Sequence, residues 1–391
     1  MADASLQIGN GNWGVKTSLL LGYNVVSNRY NPIEIGVTRE TLGSRTNQDG
    51  IIDYKGNNIA RINYASGVGS LLLEPQRTNL ALQSEDFSFA SWIKKGLTTI
   101  TANTTTSPDG TIDADTLNNA SGSLVWDSGN TLQRDILVSA STTYTFSVYV
   151  KSLGSTTFSI ALRNQSTGAS VSSNIVPNSG WQRVTVTQTT TVNTSIGLLF
   201  GNTNGNVAIW GAQIELGSYP TSYIPTTTIP LTRNQDVCSK SGITDLIGQT
   251  EGVMFIESAA LFNDSIMLSK GISISDGTLS NRIVMRYNNA SNQLLLFGTV
   301  NGVNFSSTII YNLVDVTQFA KIAIRYRVND ISLWVNGANR GTIISQALPI
   351  NLSRFGFDSG DGSTPLYAKV KQLQLYKTYL TDTEMTQLTT L

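Results

Sequence analysis

Between Tyr144 and Lys151 the side chains alternate, with Tyr144, Phe146, Val148 and Val150 on one side and Thr145, Ser147, Tyr149 and Lys151 on the other. A period of two describes a strand with one buried and one wet face, and a helix cannot present such a run to a single side. The same pattern returns from Trp181 to Thr187 with Val184 and Val186. It returns again from Asn206 to Leu216, where Ala208, Trp210, Ala212, Ile214 and Leu216 are expected on a common face. Clusters of Gly, Asn, Ser and Thr separate these segments, as in stacked antiparallel sheets. The expected fold is all-β, with two tandem antiparallel β-sandwich (jelly-roll) domains behind an irregular β-rich amino-terminal anchor, and one short carboxy-terminal helix.

Pro220, Pro225 and Pro230 punctuate a Ser- and Thr-rich run from Gly217 to Pro230 that can neither fill a ladder nor propagate a helix, so a linker is expected there. Beyond it, strands are predicted at Arg282 to Tyr287, Gln293 to Gly298, Lys321 to Val328 and Ile331 to Val335. Asn336-Gly337 marks a two-residue hairpin turn, because a type I′ turn needs positive φ at both central positions. The segment Ala368 to Tyr376 changes phase between Val370 and Leu373, which predicts a β-bulge. Thr381 and Glu384 predict a capping box, with Leu380 placed to staple onto Met385. Residues 1–80 alternate weakly, carry scattered arginines (Arg29, Arg39, Arg45, Arg61, Arg77) and suggest an anchor or assembly region. The predicted boundaries are 1–80, 81–230 and 231–391.

Composition narrows the chemistry. The 391 residues include no histidine, which excludes Ser-His-Asp and Cys-His catalysis and leaves a poor donor set for zinc. The single cysteine, Cys238, cannot form an intrachain disulfide, so stability is expected from packing and oligomerisation, which suits assembly in a reducing cytoplasm. Charged residues are 13% of the chain and 26 basic residues balance 26 acidic ones, so no footprint for nucleic acid or anionic membrane is present. Met1 to Asn10 lacks a basic start followed by an apolar run, and no stretch reaches the length of a membrane span; a soluble, unexported chain is expected.

Three stretches carry a resemblance. Ser70-Leu-Leu-Leu-Glu-Pro-Gln-Arg-Thr-Asn-Leu80, running into Ser84-Glu-Asp-Phe-Ser-Phe-Ala-Ser-Trp92, resembles a segment of bacteriophage head-fibre (head-spike) and tail-fibre proteins. Arg45-Thr46, Asp49-Gly50-Ile51 and Arg61-Ile62-Asn63-Tyr64 are similar to what precedes that segment there, except that Ala60 stands where a proline is expected. Gly180-Trp-Gln-Arg-Val184, Trp210-Gly-Ala-Gln-Ile-Glu-Leu-Gly217, Thr221-Ser-Tyr-Ile-Pro225, Thr232-Arg233 and Asp236-Val237 resemble the closing half of a jelly-roll carbohydrate-binding module. Ile331-Ser-Leu-Trp-Val-Asn-Gly337 with Ala368 to Met385 is similar to laminin-G or concanavalin-like sandwiches. The resemblance implies a virion protein assembled in a host bacterial cytoplasm. It implies a homo-oligomer, commonly a trimer, that meets other virion proteins through residues 1–80 and displays modules toward host cell-surface glycans.

Candidate sites follow from side-chain chemistry. An aromatic face can lie against a pyranose ring, and Trp126, in a Ser- and Gly-rich stretch, is the best exposed platform, with Trp92 beside it as a second candidate. Trp181, Trp210 and Trp334 sit among strand residues and are expected in the core. Asp358 and Asp361 in Asp358-Ser-Gly-Asp-Gly-Ser-Thr364 offer hard oxygen ligands for a structural calcium, and Asp113 with Asp115 offer a weaker set; otherwise no cofactor is expected. No Glu-x-Asp-x-x-Glu pattern occurs, Glu85 and Asp86 are adjacent on opposite sides of an extended segment, and Asp382 and Glu384 belong to the helix cap. A glycosidase pair is therefore not legible, and the chain is expected to be non-enzymatic. The competing readings are a purely structural capsid, collar or tail part, and a polysaccharide depolymerase.

Overall fold

The alternating segment at Tyr144 becomes the strand Thr143–Leu153 of a β-sandwich in a computed structural model that describes residues 1–16, 19–26, 29–192, 194–263, 270–288 and 292–391. Its sheet runs in the order Thr99–Thr106, Ile112–Asn118, Asn206–Leu216, Thr143–Leu153, Gln182–Thr189. The facing sheet runs Ile93–Lys94, Leu132–Leu137, Ser195–Gly201, Phe158–Asn164, Ser170–Ile175. All ladders between these strands are antiparallel. Phe146, Val148, Val150, Phe158, Ile160, Leu162, Leu198 and Phe200 fill the space between the sheets. Each such fully buried side chain contributes about 1.5–3 kcal/mol.

The face expected for Asn206–Leu216 is not continuous. The pairing with Thr143–Leu153 slips between Ser147 and Tyr149, opposite Gly211, whose φ of 67° a residue with Cβ adopts at a cost. Ala212 and Ile214 therefore point into the sandwich, while Trp210 turns to the outer face and packs with Ile52, Ala114 and Tyr223.

The second sandwich is completed by the amino terminus, which corrects the expectation of a separate anchor over residues 1–80. Glu251–Ala260 pairs with Ala320–Arg327 on one side and Ala368–Tyr376 on the other. Ala368–Tyr376 then pairs with Leu6–Gly9 and, at its start, with Ser70–Leu73. In the opposite layer Val237–Ser241 bridges Arg354–Gly356 and Arg29–Thr38, and Arg29–Thr38 pairs with Leu19–Val26. Leu6, Ile8, Leu20, Ile35 and Val37 share one core with Ile256, Ile322, Phe355 and Leu373. The first sandwich is thus an insertion between two parts of the second. Weak alternation in residues 1–80 has a physical cause: Leu6–Gly9 and Arg29–Thr38 own no complete core and pair with strands about 200 or more residues away.

The expected linker at Gly217 to Pro230 is likewise packed rather than free. Tyr219, Tyr223 and Ile224 are buried, and Ser84 donates its backbone N–H to the Thr226 carbonyl at 3.1 Å. The two chain passages into the insertion form a short ladder, with Arg77–Asn79 antiparallel to Leu231–Arg233.

Several local expectations hold. Asn336 and Gly337 have φ of 48° and 81°, as the hairpin turn requires. The phase change in Ala368–Tyr376 is a bulge, since Glu257 pairs with Gln372 and Ser258 with Val370. Thr381 caps the helix Asp382–Thr389 in a reciprocal box with Glu384, and Leu380 and Met385 share a cluster with Trp334. No helix among the described residues is long and apolar enough to cross a membrane.

Candidate functional site

A buried ionic cluster beside the neck gathers the residues that carry the resemblance. Glu74 accepts from Arg61 Nη1 and from Arg233 Nη1, each at 2.7 Å, and from Ser222 N and Oγ at 2.7 and 2.6 Å. Asp236 accepts from Arg39 Nη1 at 2.9 Å, from Arg61 Nη2, and from the Glu74 backbone N–H at 2.9 Å. Three guanidinium groups thus face two carboxylates, and every one of these side chains is nearly inaccessible to water. Backbone carbonyls of Thr41, Lys55, Gly56 and Ile59 accept from Arg39, and those of Ser44 and Pro75 from Arg61 and Arg233. Burial alone would raise the Glu74 carboxyl, but facing Arg233 and Arg61 and hydrogen-bonded by Ser222 it is held down, to about 2.

The Gly-Ala-Gln-Ile-Glu stretch is used in the same way. Gln213 Nε2 donates to Glu215 Oε1 at 2.5 Å, Thr221 donates to both Glu215 oxygens, and Gln213 Oε1 accepts from Ile224 N at 2.7 Å. These side chains hold the returning segment 217–226 against the inserted sandwich. They leave no polar atom for a ligand to displace cheaply.

An open cleft of about 610 Å³ lies next to this cluster, between the outer face of the inserted sandwich and residues 44–66. Tyr149 and Arg183, opposite each other in the ladder, supply one wall together with Trp181. The Arg183 guanidinium sits 5.2 Å from the Tyr149 ring centroid and donates to Thr221 O at 2.6 Å and Ser147 Oγ at 2.9 Å. Its Nε has no partner. Trp181 is half-buried and fixed by donation from Nε1 to Thr106 O at 3.0 Å, while Tyr149 leans edge-on against Trp210 at 5.6 Å. On the far side Arg45 is tied to Asp53 by two bonds of 2.8 and 3.1 Å, and Lys369 completes the lining. Arg183 and Lys369 have no carboxylate partner among the described residues, so the cleft carries surplus positive charge between aromatic walls.

The residues predicted as sites fall elsewhere. Trp92 is fully buried among Phe87, Phe200 and the Arg134 guanidinium, with Nε1 donating to Gln83 O at 3.0 Å; it is core and cannot stack on a sugar. Trp126 is half-buried on the other outer face, where its benzo edge occupies the space a Cβ at Gly197 would need. Asp358 is not a calcium ligand in waiting: it is buried and pairs through both oxygens with Arg354, which neutralises the charge a cation would need. Asp361 is exposed and accepts from the Ser363 N–H at 2.9 Å. Asp115 accepts from the backbone N–H of Phe87 and of Asn103. Among the described residues no three His, Cys, Asp or Glu side chains gather as a metal would require.

Trp181 and Trp210 are both expected in the core; Trp210 is fully buried, in a small cluster with Ile52, Ala114 and Tyr223 on the outer face of the sandwich, while Trp181 is only half-buried against that cluster. For Trp181 the signal was available, because Val184 and Val186 are core residues of the opposite parity.

Glu85 and Asp86 lie in a bend rather than on a strand. Glu85 is pushed up to about 7 by burial, against the lowering effect of the 3.0 Å bond from Tyr223 OH and with help from Asp113 and Asp109. A carboxyl raised above its unfolded value stabilises fully below about pH 4.5 and loses that contribution as pH rises through 7. Glu85→Gln is therefore expected to melt higher than wild type at pH 8 and to match it at pH 4.5, in melting curves at the two pH values. A variant less stable at pH 8 would contradict the sign.

No protein-family model and no curated protein matches the chain. Solved structures similar to parts of it include the Ruminococcus gnavus IT-sialidase CBM40 bound to α2,3-sialyllactose, at 14% identity and a TM-score of 0.31, over 37% of this chain and 84% of that one. Domain 4 of AbnA, a GH43 extracellular arabinanase from Geobacillus stearothermophilus in complex with arabinotriose, is similar at 10% identity and a TM-score of 0.32, over 44% and 82%. A botulinum neurotoxin type C structure is similar at 13% identity and a TM-score of 0.33, over 40% and 39%.

Proposed function

We propose that the chain is a non-enzymatic structural component of a bacteriophage particle that binds acidic glycans reversibly in the cleft at Trp181. The cleft carries the binding half of this reading. A half-buried indole and a tyrosine ring offer apolar faces to a pyranose, and Arg183 and Lys369 offer donors for a sugar carboxylate. Its volume falls within the range of small-ligand sites. Single-site affinity in an open, polar cleft is expected to be weak, and copies displayed together on one particle would compensate through effective concentration. The virion half rests on the resemblance of residues 70–92, and with it come homo-oligomerisation and attachment through the amino-terminal part. A purely structural role has its own support, since Glu74, Arg61, Arg233 and Asp236 serve architecture.

Titration with uronate- and sialate-containing oligosaccharides tests the binding half. Trp181→Ala is expected to raise Kd by at least about tenfold, a loss of ~1.4 kcal/mol, and added salt is expected to weaken wild-type binding. Equal binding by Trp181→Ala and wild type would remove the cleft from the reading. Immunogold labelling of purified particles tests the other half, and unlabelled particles would overturn it. Release of reducing sugar from host polysaccharide would overturn the non-enzymatic reading.

A further inference from the structure

A second cleft, of about 580 Å³, opens on the outer face of the second sandwich, and among the described residues no charged side chain lines it. Leu6 and Ile8 enter the core, so Gln7 between them points outward, and its ladder partner Tyr23 lies on the same face. Trp13 stands between them in the turn that follows Leu6–Gly9. Its ring is wedged between two glycines: a Cβ at Gly9 would lie 2.8 Å from Cζ2, and one at Gly69 would lie 3.0 Å from Cδ1. Nε1 donates to the Gly69 carbonyl at 3.0 Å, which fixes the indole in the plane it occupies. Tyr64 forms a second aromatic wall and receives a bond from Gln48 Nε2 at 3.2 Å. Asn12 and Gln48 are exposed at the rim.

We infer that this cleft is a second glycan site, selective for neutral sugars. A rigid, half-exposed indole with two tyrosines offers apolar platforms at little ordering cost. The amides of Gln7, Asn12 and Gln48 each offer both donor and acceptor atoms, which matches vicinal hydroxyl groups. A charged ligand would find no counter-ion there. Residues Asn63 and Ser66 line the cleft at Trp181 while Tyr64 lines this one, so the two sites flank a single turn. The assignment stands whether or not the Trp181 cleft binds acidic sugars.

Chitotriose, cellotriose, maltotriose and mannotriose serve as probes of the full chain, read by saturation-transfer NMR and tryptophan fluorescence. At least one is expected to bind saturably with millimolar Kd, insensitive to added salt. Trp13→Ala is expected to abolish that binding, and the rim double variant Asn12→Ala/Gln48→Ala, which removes only exposed side chains, to weaken it about tenfold. Trp181→Ala is expected to leave it unchanged. Absence of saturable binding by all four probes would overturn the inference, as would undiminished binding by the rim variant, or binding abolished by Trp181→Ala alone.

Discussion

Glu74→Ala is expected to destabilise the protein by about 3–5 kcal/mol, because it leaves Arg233 buried without its ion pair and Arg61 with its pair to Asp236 alone. That is a large part of the 5–15 kcal/mol that holds a typical domain together. Glu74 bonds at once to Arg61 of the amino-terminal part, Ser222 of the insertion and Arg233 of the neck, so its loss loosens all three. The pH dependence carries the same signature. The folded carboxyl is held to about 2 and its ordinary value is 4.5, so its contribution is present above pH 4.5 and is lost as pH falls toward 2. Denaturant titrations between pH 7 and pH 2 should therefore show wild type losing stability on acidification more steeply than Glu74→Ala. Parallel curves, or a loss at pH 7 below about 1 kcal/mol, would show that the cluster does not hold the neck.

The second large effect separates two tryptophans that looked equivalent. Trp92→Ala is expected to cost about 3–5 kcal/mol, since it empties a fully buried indole site against Phe87 and Phe200 and strips the Arg134 guanidinium of its aromatic cover. Trp126→Ala removes a half-buried ring whose benzo edge rests on Gly197, and its melting temperature is expected to stay close to wild type. Melting curves of the two variants in one buffer decide the matter. A Trp92→Ala protein that melts with wild type would return that residue to the surface.

Strand positions were legible wherever one face meets a core within the same sandwich. Tyr144 to Lys151 and Arg282 to Tyr287 needed only their own alternation. Residues 6–9 and 19–37 were not legible in that way, because their partners include Gln372 to Leu375 and Val237 to Ser239, and no local pattern encodes a pairing that distant. The Trp210 slip hung on Gly211, an isolated glycine within an apolar run, which is the ordinary mark of a bulge. The resemblance drew attention to Glu74, Arg233 and Glu215, and the fold spends them on holding segments together. The cleft at Trp181 stayed hidden because its opposite wall comes from residues 44–66 and from Lys369, far along the chain.

The double passage at Arg77–Asn79 and Leu231–Arg233 has a mechanical consequence. A module strung on one linker swings freely and, when pulled, transmits tension through a single backbone. Here a tug on the inserted sandwich loads two adjacent backbones in the same sense, so their mutual hydrogen bonds are not sheared. The load passes instead to Ser70–Leu73 against Ala368–Tyr376, and to Val237–Ser241 between Arg29–Thr38 and Arg354–Gly356. Those ladders lie within the larger sandwich, so a load on the inserted sandwich would pull against its whole width rather than against a hinge.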